Sequence, residues 1–224
     1  ADQYPYSAIS AYALHPQYLS ICELPYALSA TQKAEFERMC ISLNASKNIQ
    51  FDVMIREKWR WVRKIYQAHQ TEILNDAALQ IFIESEAFWL KPYAVFCVLR
   101  DRFASVIFNQ WPEHQQFSES LITEFFERTH PQYSEVILHC FVQYHLHQQL
   151  DASVQYLHQR GISLKGDLPI GVRRHSVDTW MSPERFKMDE QAGAPPDMYT
   201  EVGQNWDFPT YAWTKMKVDG YTWW

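Results

Sequence analysis

The first 160 residues contain no glycine. All six glycines of the chain (Gly161, Gly166, Gly171, Gly193, Gly203 and Gly220) come after them. Against an average usage of about 7%, this gap speaks against tight hairpin turns in that part of the chain and points to helices joined by polar turns. Other absences narrow the function. No apolar run approaches the ~18 residues that a membrane-spanning helix needs. Positive charge is scarce: 20 Lys and Arg stand against 26 Asp and Glu, a formal net charge of −6, which argues against nucleic acid as the main partner. Cys22, Cys40, Cys97 and Cys140 include no CxxC pair. That spacing suits reduced thiols of a cytoplasmic protein and supplies no zinc framework. His139, His145, His147 and His158 crowd one stretch, yet no two of them stand at the i, i+4 spacing of helical metal pairs. No metal site is therefore expected. There is no GxSxG elbow, and His175, Ser176 and Asp178 are too close in sequence for a triad drawn from separate elements.

What is present divides the chain. The length of 224 residues suffices for one sizeable domain. In "FDVMIREKWRWVRKIYQAHQTEIL", Ile55, Trp59, Val62 and Tyr66 share a face at helical spacing. "FWLKPYAVFCVLRDRF" reads as a well-buried helix with Pro92 in its first turn. In the stretch from Tyr133, Ile137, Cys140, Phe141, Tyr144 and Gln148 share a face, and Gly161 is placed to cap that helix. The basic run Arg56, Lys58, Arg60, Arg63 and Lys64 reads as the solvated side of an amphipathic helix. After Gly161 the chain changes. "GISLKGDLPIGV" reads as a buried strand over 162–168, "SVDTWMSPE" as a short helix capped by Ser176, and "PTYAWTKMKVDGYTWW" as a short helix running into Gly220. A long helix feeding one strand is a piece of an α/β layer.

Asp167 raises a specific question. A carboxylate is costly to bury unpaired and Pro169 cannot donate to a ladder. Either the strand ends there at a turn, or its end opens onto a site that needs negative charge. Downstream, Pro195-Pro196 stiffens a loop presenting Asp197 and Tyr199, with Gly193 and Gly203 as possible hinges and Trp206 beyond. Acids that bond hydroxyls, with rings such as Tyr6, Tyr199 and Trp206 that stack on sugar faces, would make a carbohydrate cleft. A surface loop with caps and a core tryptophan accounts for the same residues. Nine tryptophans and 16% aromatic residues do not choose between the two.

"KGDLPIGV", "SVDTW", "GAPPDMYTEVGQNWDFPTY" and "DGYTWW" together resemble the 4-alpha-glucanotransferases of glycoside hydrolase family 77, the amylomaltases or disproportionating enzymes. "YPYSAISAYALHP" is similar to the family's segment after its second barrel strand. "WLKPYAVFCVLRD" and "HCFVQYHLHQQL" are closer to the plant cytosolic disproportionating enzymes and their bacterial relatives. The likeness runs along nearly the whole chain and is weakest over about 30–80.

It implies a fragment of a (β/α)8 TIM barrel: a loop after strand two (1–24), a helical insertion and the helix leading to strand three (25–160), then strand three, an acceptor-side lid loop and a following helix (161–224). It implies Tyr6, Asp167, Asp197, Tyr199, Gln204 and Trp206 as substrate-binding residues. The catalytic carboxylates are expected beyond Trp224, so that the chain alone would be inactive. It also implies maltose, maltodextrin or a branched glucan as partner, without nucleic acid, membrane, metal or cofactor; the oligomeric state stays open. A non-catalytic carbohydrate-binding protein and a helical interaction module are the alternatives. Three positions depart from the family pattern: Met198 where an aromatic is common, Asp207 where glycine is usual, and Leu14-His15 for a usual Gly-Asn.

Overall fold

The computed structural model describes residues 8–168 and 170–224. In chain order its helices are α1 (Ala30–Asn44), α2 (Phe51–Ala68), α3 (Gln70–Leu74), α4 (Ala77–Ser85), α5 (Ala87–Phe103), α6 (Glu119–Phe125), α7 (Tyr133–His158), α8 (Val177–Met181) and α9 (Trp213–Val218). Four short strands are β1 (Phe186–Lys187), β2 (Gly193–Ala194), β3 (Gln204–Asn205) and β4 (Thr210–Tyr211). Among the described residues they pair as two antiparallel ladders, β1 with β4 and β2 with β3. The described chain divides into two compact units, one of Leu14–Ala87 and Ile137–Lys165, the other of residues 8–13, Phe88–Val136 and Gly166–Trp224.

The first unit is helical, as the missing glycines predict. Ser29 and Gln32 close a capping box at the start of α1. On α2 the buried face is Trp61, Val62, Ile65 and Tyr66. The face expected from Ile55 and Trp59 is thus rotated, and those two are only half-buried. The basic run is engaged within the unit. Arg60 and Lys64 both bond Glu35, at 2.7 and 2.9 Å, and the Lys58 ammonium donates to the carbonyls of Leu19 (2.8 Å) and Gln17. In α7, Val136–Gln143 is buried on every side. The Gln143 amide accepts the Leu14 N–H at 2.9 Å and donates to the Leu14 carbonyl at 2.8 Å; Gln149 treats Ser20 in the same way, at 2.8 and 2.9 Å. Each side chain thereby satisfies both backbone groups of a residue that lies in no helix or strand. Gly161, at φ +72°, ends the helix in a Schellman turn, with the Ile162 N–H donating to the Leu157 carbonyl at 3.1 Å.

The strand predicted over 162–168 does not form. These residues have no ladder partner among the described residues, and Ile162, Leu164 and Leu168 are 50%, 54% and 68% exposed. A helix closes its own backbone hydrogen bonds, whereas a strand needs neighbours to supply N–H and C=O groups.

The second unit is built on aromatic packing. In α5, Pro92–Leu99 is continuously buried. The helix begins at Ala87, so Pro92 sits in its second turn and not in its first; burial of Trp89 and Leu90 draws the helix start back. Phe96 packs against Trp111 and Trp180 with ring centroids 5.2 and 5.7 Å apart, and Phe117 meets Trp180 edge-on at 5.3 Å. The buried indoles keep their N–H groups bonded, Trp111 to the Ser105 carbonyl and Trp180 to the His114 carbonyl. Ser176 and Thr179 form a capping box on α8, and the early N–H groups of this helix are further satisfied when Val177 donates to the Ile9 carbonyl at 2.8 Å. A smaller cluster of Val172, Phe186, Tyr211 and Met216 seats β1, β4 and α9.

Candidate functional site

Residues 186–211 form one long hairpin. β1 and β4 pair at its base, Ala192 exchanges backbone bonds with Trp206 (3.0 Å) and Phe208 (2.8 Å), and β2 and β3 pair near its tip. Gly193 is required by close approach: a Cβ there would lie 2.0 Å from the Gln204 carbonyl oxygen. Its role is steric fit within the ladder and not the hinge freedom expected from sequence.

The tip is self-contained. Asp197 Oδ1 accepts the N–H groups of Tyr199 (2.8 Å) and Thr200 (2.9 Å), the Asp197 N–H donates to the Thr200 carbonyl at 3.0 Å, and the Thr200 hydroxyl donates to the Gly203 carbonyl at 2.8 Å. With its backbone satisfied internally, the tip turns Met198, Tyr199 and Val202 outward, each 87% exposed or more. On the return strand the Trp206 indole N–H donates to the Gln204 side-chain oxygen at 2.9 Å. Trp206 is 39% exposed, so the core-tryptophan alternative does not hold. The hairpin therefore exposes two aromatic rings, Tyr199 beside the Asp197 carboxylate and Trp206 beside the Gln204 amide, groups suited to stacking and hydroxyl bonding.

Of the residues singled out from sequence, Asp197 and Tyr199 share the tip turn, and Gln204 and Trp206 touch. Asp167 is exposed in the irregular stretch 162–168, and among the described residues no hydrogen bond or ion pair engages it. Tyr6 lies outside the described residues. Asp207 sits at φ +60°, the left-handed region. No helix begins directly after it: the next elements are β4 and then α9 from Trp213.

Two residues matter more than sequence reasoning allowed. Arg174 reaches the base of the hairpin, donating to the carbonyls of Glu190 (2.8 Å) and Met188, with its Nε 3.6 Å from Asp207 Oδ1. Asp178, read as a first-turn acid of α8, is 4% exposed, and its Oδ2 accepts the Ala11 N–H at 3.0 Å. Burial pushes its carboxyl up to about 6, against lowering hydrogen bonds from the backbone and Trp223. Beside it the Tyr12 hydroxyl donates to the Trp223 carbonyl at 2.7 Å. The "VRRHSVDTW" spacing marks the α8 cap, but nothing in it tells which arginine turns to the hairpin or that Asp178 is sealed. Among the described residues no cluster of His, Cys, Asp and Glu could hold a metal ion, and no helix is long and apolar enough to cross a membrane.

A family model described as 4-alpha-glucanotransferase matches residues 1–224. The chain is 39% identical over 223 residues to the 4-alpha-glucanotransferase DPE2 of Oryza sativa subsp. japonica, using all of this chain and 24% of that protein. It is 31% identical over 224 residues to a 4-alpha-glucanotransferase of Chlamydia pneumoniae, again all of this chain and 42% of that protein. It thus spans less than half of the length of these relatives. In fold it is similar to an amylomaltase from Streptococcus agalactiae solved in complex with acarbose, with a TM-score of 0.81, 22% identity, and coverage of 99% of this chain and 45% of that one. It is also similar to an amylomaltase from Corynebacterium glutamicum, with a TM-score of 0.75, 19% identity, and coverage of 97% and 30%.

Proposed function

Because the chain belongs to the 4-alpha-glucanotransferase family, whose model spans all its residues, we propose that it is the glucan-binding part of a longer cytoplasmic 4-alpha-glucanotransferase. The substrate is maltose, a maltodextrin or a branched glucan. In this reading the chain is part of a (β/α)8 barrel. Residues 1–24 follow its second strand, 25–160 are a helical insertion leading to strand three, and 161–224 carry that strand, an acceptor-side lid and the next helix. The irregular stretch 162–168 gains its ladder only between neighbouring strands. Tyr6, Asp167, Asp197, Tyr199, Gln204 and Trp206 hold glucan.

The chemistry is retaining. One carboxylate attacks the anomeric carbon as an acid protonates the departing 4-oxygen. A glycosyl ester then waits, and the same acid, now a base, deprotonates the 4-hydroxyl of the incoming sugar. Both carboxylates, about 5 Å apart in such enzymes, come from segments outside this chain. The hairpin's contribution is to bind the acceptor and disfavour water while the ester exists.

The observation that carries the reading is the hairpin itself, whose outward Tyr199 and half-exposed Trp206 stand beside the groups of Asp197 and Gln204. The test is glucose release from maltotriose by the full-length enzyme and by Trp206→Ala. Transfer should fall by about tenfold or more, the equivalent of about 1.4 kcal/mol of lost binding, with the thermal midpoint nearly unchanged. An unaltered rate would remove the hairpin from the site.

A further inference from the structure

We propose that Arg174 is the positioning residue of this hairpin: its guanidinium clamps the hairpin base and so sets how often water, in place of a sugar hydroxyl, reaches the glycosyl ester. The inference deepens the reading above and rests on it. Met188 and Glu190 stand on the outgoing arm, Asp207 on the returning arm, and the one side chain engages all three. A planar guanidinium carries five N–H donors in a fixed fork, which suits the two carbonyls at the turn where the Glu190 N–H donates to the Lys187 carbonyl at 3.2 Å. The Arg174 side chain is 17% exposed, whereas the Asp207 carboxylate is 78% exposed and adds little.

The clamp is anchored in turn. The Arg174 carbonyl accepts the Thr179 hydroxyl at 2.8 Å, and Thr179 is wholly buried in the α8 capping box. The path from the aromatic core to the hairpin thus runs through α8, the Arg174 backbone and its guanidinium. The other side-chain links across the base are the Thr210 hydroxyl donating to Glu190 Oε2 at 2.6 Å, the Asn205 amide donating to the Gln191 side-chain oxygen and the Gln191 amide donating to Asp207 Oδ1 at 3.3 Å, all exposed bonds from neutral donors. An ammonium at 174 is a compact charge on a flexible stem and cannot reproduce the fork.

The experiment uses the full-length enzyme with Arg174→Met and Arg174→Lys, and reads two quantities. The first is the rate of limited proteolysis within residues 196–203, which reports local opening. It should rise about fivefold or more in Arg174→Met and by less in Arg174→Lys, with global melting little changed. The second is the ratio of hydrolysis to transfer, with maltose as donor and glycogen as acceptor. It should rise about threefold or more, with KM for the acceptor increased and the rate of donor cleavage within about twofold. If Arg174→Met does not fold, Arg174→Lys carries both readouts. Unchanged proteolysis in a folded variant overturns the clamp. Faster proteolysis with an unchanged product ratio overturns the control of water. Failure of Trp206→Ala to affect transfer, with the Arg174 variants opening the hairpin, would sink the glucan reading instead.

Discussion

Two aspartates in the same unit accept backbone N–H groups and end in opposite states. Asp178 takes the N–H of Ala11, 167 positions away in sequence, and is sealed from water. Asp197 takes the N–H groups of Tyr199 and Thr200, two and three positions away, on an exposed tip. The long-range bond ties distant segments into a scaffold, while burial, working against that bond, makes the carboxyl hard to ionise. The local bond asks nothing of the rest of the molecule, and it leaves neighbouring side chains free to face a ligand. Contact range and burial, not residue type, separate the part that carries stability from the part that offers binding.

The comparison breaks most easily at the scaffold's core. Trp180 is 2% exposed and packs on Phe96, Trp111 and Phe117. Trp180→Ala should cost about 3–5 kcal/mol by cavity formation, read as a fall in urea midpoint with an unchanged slope. A comparable loss from any tip residue would erase the distinction.

The next effect is pH-linked. Burial raises the Asp178 carboxyl from the usual carboxylate range to about 6. A raised folded-state value means that its contribution to stability is fully present below the unfolded value and is lost as pH rises through about 6. Asp178→Asn keeps an oxygen for the Ala11 N–H and removes the charge. The stability of Asp178→Asn relative to wild type should therefore improve between pH 4 and pH 8, by about 3 kcal/mol at most for a two-unit shift. Paired chemical melts at the two ends of that range read the difference, and a gap independent of pH would show that Asp178 is not sealed.

How much of this was legible in the sequence follows the same division of local from distant. The helices α5, α7, α8 and α9, the Ser176 cap and the Gly161 stop were readable because each depends on neighbours in sequence. So was the outward loop at Asp197 and Tyr199. Pro92, expected in the first turn of α5, lies a turn further in, because the helix boundary answers to the burial of Trp89 and Leu90. The strand at 162–168 failed because its hydrogen-bond partners are not among its sequence neighbours. Arg174, Asp178 and the paired amides of Gln143 and Gln149 were hidden for one reason: each acts on backbone groups that sequence spacing cannot locate.

At the hairpin, stability effects should be smaller than functional ones. Trp206 keeps its indole N–H on Gln204 and is 39% exposed, so Trp206→Ala should cost under about 1 kcal/mol of stability, below the range for surface-to-core changes. Calorimetry beside glucan titration by intrinsic fluorescence would separate the two quantities. A melting loss as large as that of Trp180→Ala would place Trp206 in the scaffold.

Asp207 should give the smallest change, and its sign is informative. At φ +60° an aspartate pays roughly 1 kcal/mol of backbone strain that glycine would not. Against this relief, Asp207→Gly widens the unfolded ensemble by about 0.5–1 kcal/mol. It also deletes the 3.6 Å approach to Arg174 and the 3.3 Å bond from Gln191, both at an exposed carboxylate where such contacts are worth little. The contributions nearly cancel, so the midpoint should move by only a few tenths of a kcal/mol. Asp207→Asn keeps tolerance of the left-handed region and loses only the charge. If the strain term dominates, Asp207→Gly is the more stable of the two and its hairpin tip is cleaved no faster than wild type. If the side-chain links dominate, Asp207→Gly is the less stable and its tip opens, as in Arg174→Met. Proteolysis of the tip with melts of both variants decides which force fixes the returning arm.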